Sequence, residues 1–563
     1  MPREHSPRTR AVDRVGSWID KRVGASTWLA KLRTRVFPDH WSFFFIHIAL
    51  ASFIVCMLSG VFLMFFYDPS VETVTYQGPY EPLRGVEASR AFTSTMELSF
   101  EVRGGLLMRQ LHSWSASLMI AALILQILRV FFTAEFRKPR EIAWIALFGC
   151  LMTAMMAGLT GHFLPDDMLS GSSLAVLDGV LKAIPVIGTT LSSLFFQGSF
   201  PSGAIATVYP MHVLILPALI ALFGLVIAFQ TFRHKPTQFP LPGRSENNVV
   251  GKSLAPATVK RFGLMLMVSG ILFLIAATVT INPIWTYGPA DPGNASAGGG
   301  ALWFVAFLDG AQRLVPPGWE IVLSGYTLTL AILVPVAVCG LFFVAAILYP
   351  FIESWISADK RDHHLLVRPR NAPARTGIGI AAIVFYAVLW IAAGSDVIAL
   401  HFSLSNEDVI LALQVSLFLG PIVGFSIARR ICLGLQRKDK EIALHGFETG
   451  RIVRLPSGEY QEIHAPVDEF QRWELVNYES PSPLHPRPDE SGRIRIRERV
   501  RAFFSRRFFE DRVVPPSPDE VRELRGHSSA EPQATESSEN PRTDGSPVRD
   551  DTARRSGGAD LTL

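Results

Sequence analysis

Apolar residues along the chain form eight runs of about 20 positions each, and polar segments separate them. A run of that length spans roughly 30 Å of hydrocarbon as an α-helix that rises about 1.5 Å per residue. The runs cover approximately residues 43–66, 106–132, 142–163, 208–232, 262–284, 322–350, 377–400 and 409–432. This pattern predicts an all-α polytopic membrane protein with eight transmembrane helices.

Basic residues mark alternate connecting segments. The first 36 residues are rich in arginine and lysine, and basic clusters follow the second, fourth, sixth and eighth runs. The opposite loops are poor in basic residues, since the loop 164–207 contains Lys182 alone. The positive-inside rule therefore predicts that both termini lie in the cytoplasm. Residues 1–36 have no apolar segment typical of a cleaved signal peptide, so none is expected.

Composition agrees with a membrane protein, because 49% of the 563 residues are hydrophobic and 39 are Phe, more than a soluble core requires. The four cysteines lie singly within the runs, and no CxxC pair occurs: Cys56, Cys150, Cys339 and Cys432. Isolated thiols in apolar runs pack as small hydrophobic side chains. Neither an iron–sulfur cluster nor covalent haem attachment is predicted.

The runs and the composition between them divide the chain into five regions. These are a basic cytoplasmic arm (1–36), the first four helices (37–240), the last four helices (241–435), a charged cytoplasmic extension (436–480) and a tail with the composition of disorder (481–563). Two outer-face segments, 173–197 and 301–315, contain apolar stretches that are too short or too interrupted to span a membrane. Each suits a helix that lies in the membrane interface or against a partner surface.

Two histidines stand out within the apolar runs. His112 in the second run and His212 in the fourth both lie about one and a half turns inside the outer end of their helix. Ionisable groups inside a membrane span indicate a functional site by default. Two imidazoles at equal depth on separate helices can bind one haem iron from both sides. The alternative is a pair of helix histidines hydrogen-bonded to their neighbours.

Several longer motifs resemble one family of membrane proteins. They include FPDHWSFFFIHIAL, GGLLMRQLHSW, FFTAEFRKPREIAW, LPDDMLSGSS, KPTQFPLPGRSENNVVG and DHHLLVRPRNAPARTGIG. In order and without large gaps over residues 36–450, they are similar to the cytochrome b subunit of actinobacterial menaquinol:cytochrome c reductases. The resemblance implies a multi-pass protein of the plasma membrane whose first four helices bundle around two haems. It also implies a Rieske iron–sulfur subunit and a dihaem cytochrome c subunit as partners, with menaquinol as the quinol.

The resemblance implies specific residues at the outer haem level. In the family, helices two and four each carry two histidines fourteen residues apart, and helices one and three each carry two glycines at that interval. Fourteen residues return to nearly the same helix face and rise about 21 Å, so two haems stack across the membrane. His112 and His212 match the outer axial ligands, Gly60 and Gly161 match the outer glycines, and Arg109 matches a basic residue near a propionate. One haem b is therefore expected at this level.

The inner level departs from the family pattern at every one of these positions. Gln126 and Val226 stand where the second pair of histidines would be, and Ile46 and Leu147 stand where the second pair of glycines would be. Neither an amide nor an isopropyl group is a usual haem ligand, so the second haem is expected to be absent.

Two further residues near the inner level bear on that expectation. Arg129 still matches a basic position of the family. His47 either replaces a lost ligand or is a hydrogen-bonded core histidine, and the second reading is the simpler one.

The resemblance also implies a quinol-oxidation motif with a proline, an acid, an aromatic residue and a tyrosine. This chain has Ala301, Leu302, Trp303 and Phe304 there. Leucine cannot accept the proton that the family's carboxylate is thought to accept during quinol oxidation. Asp309 follows seven residues after Leu302, either as a substitute or as a helix-surface carboxylate.

Three functions remain open on the sequence. The first is a divergent cytochrome b subunit with one haem in a quinol-linked electron-transfer complex. The second is a non-catalytic membrane scaffold or regulatory paralogue that holds respiratory partners. The third is a quinol:cytochrome c reductase subunit by family whose own catalysis is weak or absent, so whether the chain is itself an enzyme stays open. Membrane lipid and protein subunits are the expected contacts, and no nucleic-acid partner is expected.

Overall fold

A computed structural model describes most of the chain. The described residues are 18, 20, 22, 34–198, 200, 203–291, 293, 300, 302–323, 325–476, 478–479, 481–488, 493–517 and 519–520. Most of the basic arm, Ala301 of the degenerate motif and residues 521–563 of the predicted tail therefore lie outside the described residues. Residues 516–563 form a unit separate from the rest of the chain, and within it the backbone N–H of Ser517 donates to Glu520.

Helices account for most of the described residues. The helices are α1 (Phe45–Met64), α2 (Arg90–Phe100), α3 (Gly105–Phe132), α4 (Glu141–Phe163), α5 (Met168–Ala183), α6 (Gly188–Phe195), α7 (Gly203–Pro210), α8 (Leu216–Arg233), α9 (Leu254–Thr278), α10 (Ile284–Tyr287), α11 (Ala306–Arg313), α12 (Leu330–Ser357), α13 (Pro373–Ala392), α14 (Ser395–Phe402), α15 (Asn406–His445), α16 (Glu469–Val476) and α17 (Ile496–Phe509). Short 3₁₀ turns lie at Trp41–Phe43, Glu81–Leu83 and Pro369–Asn371.

Within the described residues, eight strands form four two-stranded antiparallel sheets. The strands are β1 (Val36–Phe37), β2 (Thr73–Thr75), β3 (Glu87–Ser89), β4 (Lys252–Ser253), β5 (Glu320–Leu323), β6 (Tyr326–Thr329), β7 (Phe447–Arg454) and β8 (Tyr460–Ala465). Three of the sheets are hairpins of consecutive strands, and the fourth pairs β1 with β4 through Val36 and Ser253. That pairing places the residues before α1 beside the start of α9.

Eight helices in the described part of the chain are long and apolar enough to cross a membrane, which confirms the predicted number. They are Trp41–Met64, Gly105–Phe132, Glu141–Phe163, Gly203–Arg233, Leu254–Thr278, Leu330–Ser357, Pro373–Ala392 and Asn406–His445. The protein is an all-α polytopic membrane protein, since the short strands lie in its connections. The cytoplasmic position of both termini stays a prediction.

Three predicted boundaries differ from the observed ones for identifiable reasons. The fifth helix ends at Thr278 because Asn282, with φ of 49°, and the following Pro283 cannot continue it. The sixth begins at Leu330 because the apolar residues before it form the hairpin β5–β6. The eighth continues to His445, well past the apolar run, because a buried stripe on its C-terminal part still packs against the protein. The stripe is Cys432, Leu433, Gln436, Asp439 and Ala443.

The first four spans pack as two connected pairs. α1 packs on α3, α8 packs on α4, and α3 contacts α4. A large apolar cluster joins this bundle to the later helices, and its members include Ile120, Leu147, Ile220, Phe307 and Leu389. The core of the molecule therefore lies on the inner half of the bundle and against α11 and α13.

The structure corrects part of the predicted disordered tail. Residues 496–509 form α17, and Arg501 on this helix donates through Nε to the backbone oxygen of Trp355 at 2.6 Å. The helix contains six charged residues and two Phe pairs. Averaged with the polar segments around it, this composition predicted disorder.

Candidate haem site

The structure brings His112 and His212 together between separate spans. His112 lies on α3, and His212 lies in a π turn, Met211–Ile215, that joins α7 to α8 after Pro210. The centroids of the two imidazole rings are 6.0 Å apart, and the ring planes meet at 69°. Single π turns inside α-helices frequently mark functional sites. Apart from Pro210, no local pattern in the sequence indicates this turn.

Each imidazole is oriented by a backbone carbonyl of the neighbouring helix. Nδ1 of His112 lies 3.0 Å from the oxygen of Cys56, and Nδ1 of His212 lies 3.0 Å from the oxygen of Ala157. A carbonyl oxygen can only accept, so each Nδ1 carries the proton and each Nε2 of the neutral ring keeps its lone pair. The Nε2 lone pair is the one that a metal ion would use.

A hydroxyl group also contacts each ring, and sequence reasoning missed both. Ser59 Oγ lies 3.2 Å from Nδ1 of His112, and Thr160 Oγ1 lies 3.1 Å from Nδ1 of His212. Ser59 and Thr160 directly precede the two family glycines. The sequence therefore did contain a signal. A hydroxyl residue directly precedes each glycine, and the residue four positions before each glycine on the same helix supplies the carbonyl acceptor.

Gly60 and Gly161 make room for the rings themselves. A Cβ at Gly60 would lie 3.0 Å from Cε1 of His112, and a Cβ at Gly161 would lie 2.6 Å from Cε1 of His212. Contacts under 3.0 Å do not occur between a Cβ and a neighbouring atom, so any side chain at Gly161 would displace the imidazole. Gly60 on α1 and Gly161 on α4 thus form equivalent contact surfaces for the two imidazole rings. Each surface, made of the glycine and the preceding hydroxyl residue, is called a seat below.

Arg109 lies one turn before His112 on α3, and its side chain is 8% exposed. Its guanidinium donates to the backbone oxygen of Asn282 and lies 5.6 Å from the centroid of the Trp285 ring. Its Nε has no hydrogen-bond acceptor among the described residues. A buried donor without a partner costs free energy, and a carboxylate would satisfy it.

These residues fit a haem group. An imidazole nitrogen binds a metal ion such as zinc at about 2 Å, so two rings on opposite sides of one ion have centres about 6 Å apart. The observed separation of 6.0 Å agrees with that value. The donor set of two neutral imidazoles and a buried guanidinium suits an iron with a nearby carboxylate.

At the inner level, side chains fill the space between the same helices. Leu147 is 4% exposed within the large apolar cluster, and Ile46 packs against that cluster. Phe223 packs there too, and its Cε1 lies 2.8 Å from where a Cβ of Gly149 would be. Val226 is half-buried. Gly149, a glycine near the inner end of α4, therefore accommodates the ring of Phe223.

The polar residues of the inner level contact protein groups. Gln126 is 8% exposed, and its Oε1 has no donor among the described residues. Arg129 forms a close ion pair with Glu135, and its Cζ lies 4.3 Å from the centroid of the Phe43 ring. His47 Nδ1 lies 3.0 Å from the backbone oxygen of Phe43. A hydrogen bond of this kind is typical of a core histidine, which was the simpler of the two interpretations of His47.

Leu302 and Phe304 of the degenerate quinol-oxidation segment pack into the protein, while Trp303 is 38% exposed. Phe304 is 6% exposed, and its Cζ would lie 2.6 Å from a Cβ of Gly158. Leu302 packs against the apolar cluster, and the backbone oxygen of Trp303 accepts a hydrogen bond from Trp390 Nε1 at 2.9 Å.

Asp309 lies on α11, where the sequence left its role open. Arg313 Nε donates to its Oδ2 at 3.0 Å, and Arg313 Nη1 lies 3.0 Å from Asp396 Oδ1. Arg313 is therefore shared between the carboxylates of Asp309 and Asp396, as in a surface ion pair of a helix.

Comparisons with known proteins agree with this arrangement of helices. A family model described as "Cytochrome b(N-terminal)/b6/petB" matches residues 117–289. The chain is 42% identical over 535 residues to the cytochrome bc1 complex cytochrome b subunit of Streptomyces coelicolor, with 93% of this chain and 97% of that protein covered. It is 43% identical over 481 residues to the subunit of the same name from Mycobacterium tuberculosis, with 84% of this chain and 87% of that protein covered.

A solved structure shows the same fold. A chain described as "Hyperthermophilic respiratory Complex III" superposes with a TM-score of 0.53 at 16% identity, covering 73% of this chain and 99% of that chain. The sequence identities above extend over nearly the whole chain and confirm the family that the motifs indicated. The protein therefore belongs to the family of cytochrome b subunits of the cytochrome bc1 complex, and membership of this family implies that it binds haem b.

Proposed function

We propose that the protein is a cytochrome b subunit with one haem b, held between His112 and His212 at the outer level. The observation that carries the proposal is the pair of imidazole rings 6.0 Å apart, each with Nδ1 directed at a backbone carbonyl. Haem b, when bound, would supply a one-electron carrier. The two histidines would hold it, Gly60 and Gly161 would leave space for their rings, and Arg109 would bind a carboxylate through its buried Nε.

We further propose that no second haem binds at the inner level. Ile46, Leu147 and Phe223 pack there in or against the large apolar cluster, and neither Gln126 nor Val226 offers an imidazole. The packed inner level is an apolar core, and cores of this density do not open for a large ligand without losing their contacts.

The spectrum and haem content of the purified full-length chain test both points. The dithionite-reduced minus oxidised spectrum is expected to show a bis-histidine haem b at one haem per chain. His112→Ala is expected to remove it. His47→Ala, which changes a histidine on the neighbouring α1, is the matched control and is expected to leave the haem content unchanged. A chain without haem would contradict the proposed ligands, and two haems per chain would contradict the proposed inner level.

We infer that the subunit works in a quinol-linked respiratory complex with a Rieske iron–sulfur subunit and a dihaem cytochrome c subunit. The relatives named above are subunits of cytochrome bc1 complexes, which supports this inference. Affinity purification of the tagged chain from its own membranes, followed by mass spectrometry, is expected to recover both partners. Recovery of neither partner under conditions that preserve the haem would contradict it.

Quinol oxidation by this subunit is expected to be weak. Leu302 has no group to accept a proton, and the carboxylate of Asp309 is paired with Arg313. Menaquinol:cytochrome c activity of the purified complex is therefore expected to fall well below that of a family member with an intact acidic motif. Comparable activity would show that another group accepts the proton.

The second candidate function is a scaffold or regulatory paralogue, and the packed inner level and the altered motif favour it over an ordinary reductase subunit. The same purification distinguishes the two. A chain that recovers its partners but contains no haem and turns over no quinol would be a scaffold. A chain with one haem that becomes reduced in the complex would be an electron-transfer subunit.

A further inference from the structure

The helix α17 has an exposed apolar stripe far along the chain from the haem site. Four apolar residues form the stripe at positions i, i+4, i+7 and i+8: Ile496, Val500, Phe503 and Phe504. Their exposed fractions are 79%, 41%, 56% and 47%. Residues at this spacing share one face of a helix. An exposed face with two phenylalanines is unfavourable in water unless something covers it.

The opposite face of α17 is the one that packs on the protein. Ala502 and Ser505 are buried, and Ser505 Oγ accepts a hydrogen bond from the backbone N–H of Leu484 at 3.0 Å. Arg501 Nε donates to the backbone oxygen of Trp355 at 2.6 Å. The helix is therefore docked through its polar and small residues, and its apolar stripe faces outward.

Exposed arginines border the stripe on both sides. At about 100° per residue, Arg497 falls on one edge of the stripe, and Arg499 and Arg506 fall on the other. Arg507 lies within the stripe, with its Cζ 5.7 Å from the centroid of the Phe503 ring. Basic residues on both edges of a narrow apolar face are typical of helices that lie in the interface of an anionic membrane.

The anchor of α17 places it at the end of a membrane span. Trp355 lies two residues before Ser357, the last residue of α12, and its ring centroid is 6.5 Å from that of Phe504. Tryptophan is enriched at the membrane–water interface. One turn earlier on α12, Phe351 and Ile352 are 46% and 42% exposed, as lipid-facing residues of a span would be. The apolar stripe of α17 therefore continues the lipid-facing surface of α12.

We propose that α17 binds the anionic phospholipid surface beside the end of α12. Its apolar stripe inserts at the boundary between headgroups and acyl chains, and the bordering arginines bind lipid phosphates. A phospholipid leaflet fits better than a protein helix, because a protein surface would have to supply acidic groups on both sides of one narrow groove. The proposal concerns a surface separate from the proposed haem site and does not depend on haem content.

Spin labelling of the full-length chain in lipid nanodiscs tests the depth of the stripe. A nitroxide on Phe503→Cys is compared in phosphatidylcholine discs and in discs that also contain phosphatidylglycerol. Unmodified protein gives the background, because Cys150, Cys339 and Cys432 are buried and Cys56 is half-buried. A label on Tyr460→Cys, at a side chain that is 72% exposed in β8, is the aqueous control.

The label at 503 is expected to collide mainly with oxygen in anionic discs and more with a water-soluble relaxing agent in neutral discs. The label at 460 is expected to stay water-accessible in both. Water accessibility at 503 in both discs would overturn the proposal. So would shielding that is equal in neutral discs, anionic discs and detergent, or shielding that appears only when other subunits are added, because either result would indicate a protein contact.

A charge series tests the arginines. The triple substitution Arg499→Gln, Arg506→Gln and Arg507→Gln is expected to weaken the preference for anionic discs by roughly fivefold for each arginine removed. The matched triple Arg→Lys variant keeps the charge and is expected to keep the preference. Hydrogen exchange over residues 496–509 shows in each variant whether the helix persists. A persistent helix whose lipid preference is unchanged in the Gln variant would overturn the proposed role of the arginines.

Discussion

The outer and inner levels of the four-helix bundle are built from the same helices and differ in what fills them. At the outer level, His112 and His212 each rest against a glycine and donate to a carbonyl of the neighbouring helix. At the inner level, fourteen residues along the same helices, Gln126 and Val226 stand in place of the histidines, and their neighbours Ile127 and Ile227 lie in or against the large apolar cluster.

On the proposed assignment, a haem position depends on the glycines and hydrogen-bond acceptors around its ligands as much as on the ligands themselves. The outer imidazoles require backbone carbonyls, hydroxyl groups and glycines on α1 and α4, and all of these are present. The inner level has replaced the glycines with Ile46 and Leu147 and has a phenylalanine, Phe223, on the glycine that remains nearby. Restoring histidines at positions 126 and 226 alone would therefore leave the space for a second haem filled by side chains.

The largest expected effect comes from filling the outer seat. Gly161→Ala would place a methyl group 2.6 Å from Cε1 of His212, so the ring must move and haem binding is expected to weaken roughly 100-fold. Gly149→Ala on the same helix is the control. Its new methyl group would meet Phe223 at 2.8 Å, so it is expected to lower thermal stability while haem content stays unchanged. Haem titration of both purified variants measures the difference, and equal haem loss in the two would contradict the outer seat.

The second prediction reverses the ligand losses at the inner level. Gln126→His with Val226→His is expected to leave the haem-to-protein ratio at that of the unmodified chain while Ile46 and Leu147 remain. Each added imidazole without a partner is expected to lower the free energy of unfolding by about 1–3 kcal/mol. Haem content and thermal unfolding are the measurements, and the variant that also carries Ile46→Gly and Leu147→Gly is the comparison. A doubled haem content in the two-histidine variant alone would show that packing does not close the inner level.

The sequence predicted the number of spans and the proximity of His112 and His212 well, because both follow from the positions of residues within the apolar runs. Eight apolar runs gave eight helices, and the pairing of His112 with His212 followed from their equal depth in two spans. The resemblance contributed Gly60, Gly161 and Arg109, which pattern alone would not have selected.

The parts that the sequence missed depend on contacts between distant segments. The packing of Phe223 onto Gly149 joins positions about 70 residues apart, so no local pattern indicates it. The π turn at His212 was also missed, since only the preceding Pro210 marks it in the sequence. The docking of α17 rests on the backbone of Trp355, 146 residues away. Average composition predicted disorder there because it does not register the order of charged and apolar residues along a helix.

The third prediction concerns the hydroxyl groups of the outer level. Thr160→Ala removes the Oγ1 that lies 3.1 Å from Nδ1 of His212 but keeps the carbonyl of Ala157, so the ring loses one of two contacts. Haem affinity is expected to fall roughly tenfold, and the reduction midpoint is expected to shift. Thr160→Ser is the rescue control, because serine restores the hydroxyl group. If Thr160→Ala and Thr160→Ser gave the same affinity and midpoint, the hydroxyl group would have no part in orienting the ring.

The smallest expected effect concerns an ion-pair cluster at the inner end of the bundle. Asp39 lies just before the first span and accepts from Lys252 at 2.7 Å and Lys260 at 2.8 Å, which ties the start of α1 to α9. The hydrogen bond from Lys252, followed by that from Lys260, lowers the pKa of Asp39 from 3.8 to about 2. A carboxylate with a lowered pKa in the folded state stabilises the fold above its unfolded pKa and loses that contribution as the pH falls toward its folded pKa.

Asp39→Asn is therefore expected to reduce the free energy of unfolding near neutral pH by less than about 1 kcal/mol, as for other partly exposed ion pairs. The difference from the unmodified chain is expected to close as the pH falls from about 4 to about 2, where Asp39 itself becomes protonated. Thermal unfolding in nanodiscs across this range measures it, with Glu87→Gln, an exposed carboxylate of β3, as the control. A difference that stays constant down to pH 2 would mean that Asp39 stabilises the inner end through its shape and hydrogen-bonding capacity, and that its charge contributes nothing there.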